Sequence, residues 1–146
     1  GVLAHISGMF AARGYNIDSL TVAETEDPGV SHMTIVTHGD DAIIEQIRKQ
    51  LSKIIDVIKV NDISTVNHVE RDLMLVRVKA NSDTRTDLLQ LGEAFEGAVV
   101  DIGMKHLTFE ITGPEEKLYA FIELLRPYGI EEASRTGRIA MARGAK

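Results

Sequence analysis

The feature that most restricts the fold is an order of periodicities that the chain runs through twice. In residues 72–146, Met74, Val76 and Val78 alternate with Arg77 and Lys79, the pattern of a strand with one buried face. Asn81 to Thr84 supply helix-capping residue types. Leu88, Leu91 and Phe95 then follow at helical spacing, and Gly97 ends that run. Residues 98–102 read as a strand and residues 103–106 as a turn. Leu107, Phe109 and Ile111 alternate with Thr108 and Glu110 as a further strand. Pro114 opens a second helix, as its missing N–H allows, and Leu118, Phe121, Ile122 and Leu125 form its apolar stripe. Pro127 and Gly129 stop it, and residues 130–134 read as a last strand. The order is β-α-β-β-α-β.

Residues 1–64 repeat that order without its first strand. Leu3, Ile6 and Phe10 mark a helix that Gly14 terminates. Residues 16–24 and 30–37 read as strands, joined by a polar loop ending in Pro28 and Gly29. Asp40 or Asp41 suits the cap of a helix over 42–53, which carries Ile43, Ile44, Ile47 and Leu51. Residues 54–63, rich in Ile and Val, read as a strand. The polar, aperiodic residues 65–71 read as a linker. The chain opens directly on a helix with no initiator Met, so a strand ahead of Gly1 is expected to be missing. The expected fold class is α+β: two ferredoxin-like βαββαβ units, over 1–64 and 72–146. In that plait the helices cover one sheet face only. Apolar residues on both faces of the 16–24 and 30–37 strands therefore predict a homodimer.

Composition excludes several classes of function. The 146 residues contain no Cys, which removes disulfides, thiol nucleophiles and cysteine-bound zinc. Residues 1–64 carry 5 Lys or Arg against 9 Asp or Glu, and residues 65–146 carry 11 against 13. Neither half has the basic excess of a nucleic-acid binder. Arg135, Arg138, Arg143 and Lys146 read as a solvated basic tail. No stretch approaches the roughly 20 apolar residues of a membrane span, and no signal peptide is visible, so the expected location is the cytoplasm. His5, His32, His38, His68 and His106 are scattered and support no metal site. The acid pairs Asp40–Asp41, Glu115–Glu116 and Glu131–Glu132 sit at caps or on solvated faces. No nucleophile signature and no phosphate loop is present, so the chain is not expected to be an enzyme by itself.

One stretch has binding chemistry. A helix begins at Gly1, and a helix start presents free N–H groups and partial positive charge suited to a carboxylate. Asn16 opens the next strand with an amide that donates and accepts. Together they suit a small zwitterion such as an amino acid. The same residues also fit an ordinary surface helix with a glycine entry and an asparagine turn.

Gly1-Val2-Leu3, Gly14-Tyr15-Asn16-Ile17 and Ser19-Leu20-Thr21-Val22 together resemble an ACT domain, the amino-acid-sensing ferredoxin-like module. More narrowly, GMFAARGYNIDSLTVAETEDPGVSHMTIVT resembles the small regulatory subunit of acetolactate synthase, and the resemblance extends over nearly the whole chain. It implies paired ACT domains with valine at their interface. The carboxylate would lie on the amides of Gly1, Val2 and Leu3, with Asn16 of the other copy opposite and Ile17 beside it. Thr21 and Ala23 are small enough to line the same site, although strict alternation places Thr21 on the face opposite Asn16 unless a bulge intervenes. The resemblance further implies activation and valine feedback inhibition of a catalytic large subunit. Thiamine diphosphate, Mg²⁺ and FAD would belong to that subunit and no cofactor to this chain. A free-standing ACT-type sensor controlling transcription or another biosynthetic enzyme is the alternative.

Overall fold

The computed structural model describes residues 1–144. The chain divides into two compact units: Gly1–Val69 with the residues from Ala140 on, and Glu70–Ile139. The fold class is α+β with two ferredoxin-like units.

The second unit holds β3 (His68–Lys79, from Glu70 on), α3 (Arg85–Ala94), β4 (Ala98–Ile102), β5 (His106–Gly113), α4 (Glu115–Leu125), a 3₁₀ turn (Arg126–Tyr128) and β6 (Ile130–Arg135). Its strands pair antiparallel in the order β4-β5-β3-β6. Period-two alternation puts Met74, Val76, Val78, Leu107, Phe109 and Ile111 on one face, all buried. Leu88 of α3 and Leu118, Phe121 and Leu125 of α4 cover that face. Phe109 meets Phe121 edge to face with centroids 5.5 Å apart, and Phe121 packs on Phe95 at 5.1 Å, both within the range of favourable ring pairs.

The first unit holds α1 (Val2–Ala12), the hairpin β1 (Ser19–Glu24) and β2 (Ser31–Val36), and α2 (Asp41–Ser52). Ile6 and Phe10 of α1, Ile47 and Leu51 of α2 and Ile54 form its core, joined by Val2, Ile17, Met33 and Ile35. Asp40 caps α2 by accepting the Ile43 N–H at 2.9 Å. The β1–β2 register pairs Leu20 with Ile35 and Val22 with Met33, without a bulge. Paired residues share a face, so these four point toward the helices. Thr21 with Thr34 and Ala23 with His32 point the other way.

Three sequence expectations need correction. Residues 54–63 form no strand; among them Val57 and Val60 still lean on the core, while Ile55 and Ile58 are 97% and 85% exposed. In the second unit the last strand, β6, pairs with the first, β3; residues 54–63 pair with no strand among the described residues, so their N–H and C=O groups join no ladder.

The second correction concerns the linker. Residues 68–71, read as part of it, are already strand, because β3 starts at His68. The third concerns the basic tail. Arg135 lies in β6, 3.1 Å from Glu115 and 3.4 Å from Asp72, and Arg138 lies 3.6 Å from Glu70 and 3.5 Å from Glu115. Ile139–Ala142 form a further strand, β7, that pairs with β3. The N–H of Arg143 donates to the Asn67 carbonyl at 2.9 Å. Lys146 lies outside the described residues.

Candidate functional site

The start of α1 differs from those of the other three helices. Gly1 is its N-cap, with no side-chain cap and no acidic residue in the first turn. The helices α2, α3 and α4 carry Asp41, Asp87, and Glu115 with Glu116 there. The first intrahelical bond of α1 runs from the His5 N–H to the Gly1 carbonyl at 3.1 Å. The N–H groups of Val2 and Leu3 therefore point out of the helix end without intrahelical acceptors. They carry the positive end of the helix dipole, with no carboxylate of the first turn to neutralise it.

Asn16 lies beyond the other end of α1. Its carbonyl accepts a hydrogen bond from the Thr37 hydroxyl, and two residues on the Asp18 N–H donates to the Val36 carbonyl at 2.7 Å. Its backbone is thus fixed to the end of β2, while its side chain is exposed and makes no hydrogen bond among the described residues. Beside it, the Asp18 carboxylate is 2.9 Å from His38 Nδ1. The side chain of Ile17 packs into the core of the first unit. Thr21 is half-buried on the sheet face away from the helices, as strict alternation requires, and no bulge in β1 turns it.

The structure therefore brings Gly1, Val2 and Leu3 together and holds Asn16 apart from them. Eleven helical residues span about 16 Å along the axis, too far for one amino acid to touch both ends. One copy presents an amide-lined helix start and, beyond the other end of α1, an exposed asparagine. Among the described residues, no group of three or more His, Asp or Glu is placed to hold a metal ion. Among the described residues, no helix is long and apolar enough to cross a membrane.

Sequence reading missed the ionic cluster of the second unit. Asp72 is 2% exposed, and its carboxylate faces Arg135 at 3.4 Å and the Thr136 hydroxyl at 3.5 Å. Arg135 is shared with Glu115, whose hydrogen bond raises the guanidinium pKa further above its ordinary value. Asp72 occupies a core-facing position of β3, two residues before Met74. A charge there breaks the apolar alternation that reveals a strand.

Comparison with known proteins gives a consistent result over both units. Residues 1–59 match the family model described as the AHAS small subunit-like ACT domain, and residues 71–144 match that of the small subunit of acetolactate synthase. The chain is 48% identical to a probable acetolactate synthase small subunit of Methanothermobacter thermautotrophicus, over 100% of this chain and 88% of that protein. It is 46% identical to the acetolactate synthase small subunit of Bacillus subtilis, over 100% of this chain and 86% of that protein. Among solved structures, the acetolactate synthase small subunit of Thermotoga maritima superposes with a TM-score of 0.91 at 42% identity, covering 100% of this chain and 91% of that one.

Proposed function

The chain belongs to the family of acetolactate synthase small subunits, and from that premise we propose that it is the regulatory partner of a catalytic large subunit, activating it and making it sensitive to valine. The chain does no chemistry itself; thiamine diphosphate, Mg²⁺ and FAD stay with the large subunit, and the complex works in the cytoplasm. Within the first unit, residues 1–64 are the part that binds amino acid and dimerises.

The observation that carries this reading is the pair of separated half-sites. The helix start at Gly1, Val2 and Leu3 suits a carboxylate. The free Asn16 amide suits the polar end of a zwitterion, with Ile17 fixing its place in the chain, and Thr21, on the outer face of β1, is offered as a further wall of the same site. Valine at the junction of two copies would satisfy both. A two-stranded sheet with one bare face is marginal alone, and pairing of two first units gives that face a cover. Valine then favours the paired arrangement that binds it more tightly, and the large subunit responds by the difference in valine affinity between the two states.

The test is Asn16→Ala in reconstituted holoenzyme. Loss of one hydrogen-bonding partner for a buried polar group costs about 1–3 kcal/mol of valine binding. Inhibition should therefore shift to valine concentrations about 5- to 150-fold higher, while activation of the large subunit is kept. Inhibition unchanged in the variant refutes the assignment of Asn16. Failure of the chain to bind or activate any acetolactate synthase large subunit refutes the regulatory reading and leaves a free-standing sensor.

A further inference from the structure

The second unit has a cleft that the regulatory reading does not use. It lies between the end of β3 (Lys79, Ala80), the approach to α3 (Asn81, Thr84), the β4–β5 turn (Lys105), the 3₁₀ turn (Pro127, Tyr128) and Glu131 of β6, and encloses about 550 Å³. That volume is within the ordinary range for small-molecule sites. We propose that this cleft binds a small phosphate-bearing molecule, its phosphate held between Lys79 and Lys105 and its planar or apolar portion against Tyr128 and Pro127.

The two lysines are fixed near each other by the backbone. The Ala80 N–H donates to the Lys105 carbonyl at 2.9 Å, and the Lys79 N–H donates to the Gly129 carbonyl at 2.9 Å. Gly129 has φ +102, and a Cβ there would stand 3.0 Å from Lys79 Cδ. The glycine therefore allows the aliphatic stem of Lys79 to lie close against the chain, which limits where its ammonium group can go. Neither lysine is engaged in an ion pair among the described residues. The one acid in the lining, Glu131, is 3.6 Å from Arg77, whose charge it partly offsets. In a chain of net charge −6, a cleft lined by two lysines outside ion pairs and one glutamate carries a local excess of positive charge. Ammonium groups act as point charges toward phosphate. Tyr128, half-buried in the wall, offers a ring for stacking.

The cleft lies where the first strand of its unit meets the first helix. Gly1 to Leu3 hold the corresponding place in the first unit, but there the donors are backbone amides and here they are lysines. The proposal does not depend on valine binding at the first unit.

The test uses the full chain, titrated with phenyl phosphate and with inorganic phosphate and followed by amide chemical shifts. Phenyl phosphate should bind more tightly than inorganic phosphate and move the amides of Lys79, Ala80, Lys105 and Tyr128. Lys79→Gln and Lys105→Gln should each weaken it about tenfold, the loss expected for one charge-assisted hydrogen bond. Lys53→Gln, on the exposed surface of the first unit, should leave binding unchanged. A thermal melt of each variant at the wild-type temperature confirms that the fold is kept. Absence of saturable binding overturns the proposal. So do shifts that map elsewhere, or equal weakening by all three lysine variants. Equal affinity for the two phosphates overturns the role given to Tyr128.

Discussion

Replacing Gly92 with alanine puts a methyl group where the second unit has no room for one. A Cβ at Gly92 would stand 2.4 Å from Phe109 Cε1 and 2.9 Å from Cδ1. Ordinary carbon–carbon contact is about 3.5–4.0 Å, so the ring would have to retreat by about 1 Å. Phe109 is fully buried and its ring is braced edge to face by Phe121. It has no free space to enter, and α3 must lift from the sheet instead. Alanine is worth about 1 kcal/mol over glycine inside a helix, and overpacking a core costs about 1–3 kcal/mol. With contact this close the cost lies at the upper end, so the expected net effect is a loss of about 2 kcal/mol. At a urea m-value of about 2 kcal/mol/M, the midpoint falls by about 1 M. Urea unfolding followed by circular dichroism, with amide exchange at Val76 and Phe109, reads the effect on the second unit. Gly8→Ala is the matched control, since Gly8 lies in α1 with nothing within 4 Å of its added Cβ. There only the helix preference acts, and stability should rise by about 0.5–1 kcal/mol. A Gly92→Ala protein as stable as wild type would show that the packing around Phe109 does not resist as argued.

Arg135→Ala leaves the Asp72 carboxylate buried without its cation and should destabilise the second unit by about 3 kcal/mol; a smaller loss in the Asp72→Asn, Arg135→Met double variant identifies the unpaired charge as the cause. Asp62 has its pKa lowered by hydrogen bonds from the Ser64 hydroxyl and then the Ser64 N–H. A carboxylate with a depressed folded pKa adds stability above its unfolded pKa of about 3.9 and loses it as pH falls through the folded value. Ser64→Ala should move the Asp62 titration upward toward the ordinary carboxylate range, read by carboxyl NMR; an unmoved titration would exclude the hydroxyl as the principal cause.

The pattern of the second unit was readable because its buried positions are apolar and regularly spaced. Met74, Val76 and Val78 in β3, and Leu118, Phe121 and Leu125 in α4, announce both the element and its inward face. Reading failed where the reason for an element is another element. The start of β3 was hidden because Asp72 sits in the core-facing row, stabilised by an arginine 63 residues away. β7 is hidden between arginines, and Arg135 and Arg138, which residue type alone places in a solvated tail, face carboxylates. Residues 54–63 have strand composition, but composition does not supply the neighbour that a strand requires. The helix that separates Gly1 from Asn16 is legible in its start and stop signals; the binding role proposed for the two residues rests on residue type alone. That they stand at opposite ends of α1 follows from the helix length in the structure.

Calorimetry of the chain with valine decides whether valine is held where two copies meet. A two-fold interface repeats each contact, so the account predicts one valine per chain, bound only at concentrations where the dimer persists and weakened in Asn16→Ala. Saturable binding of valine to the monomer, or binding that Asn16→Ala leaves unchanged, would contradict it.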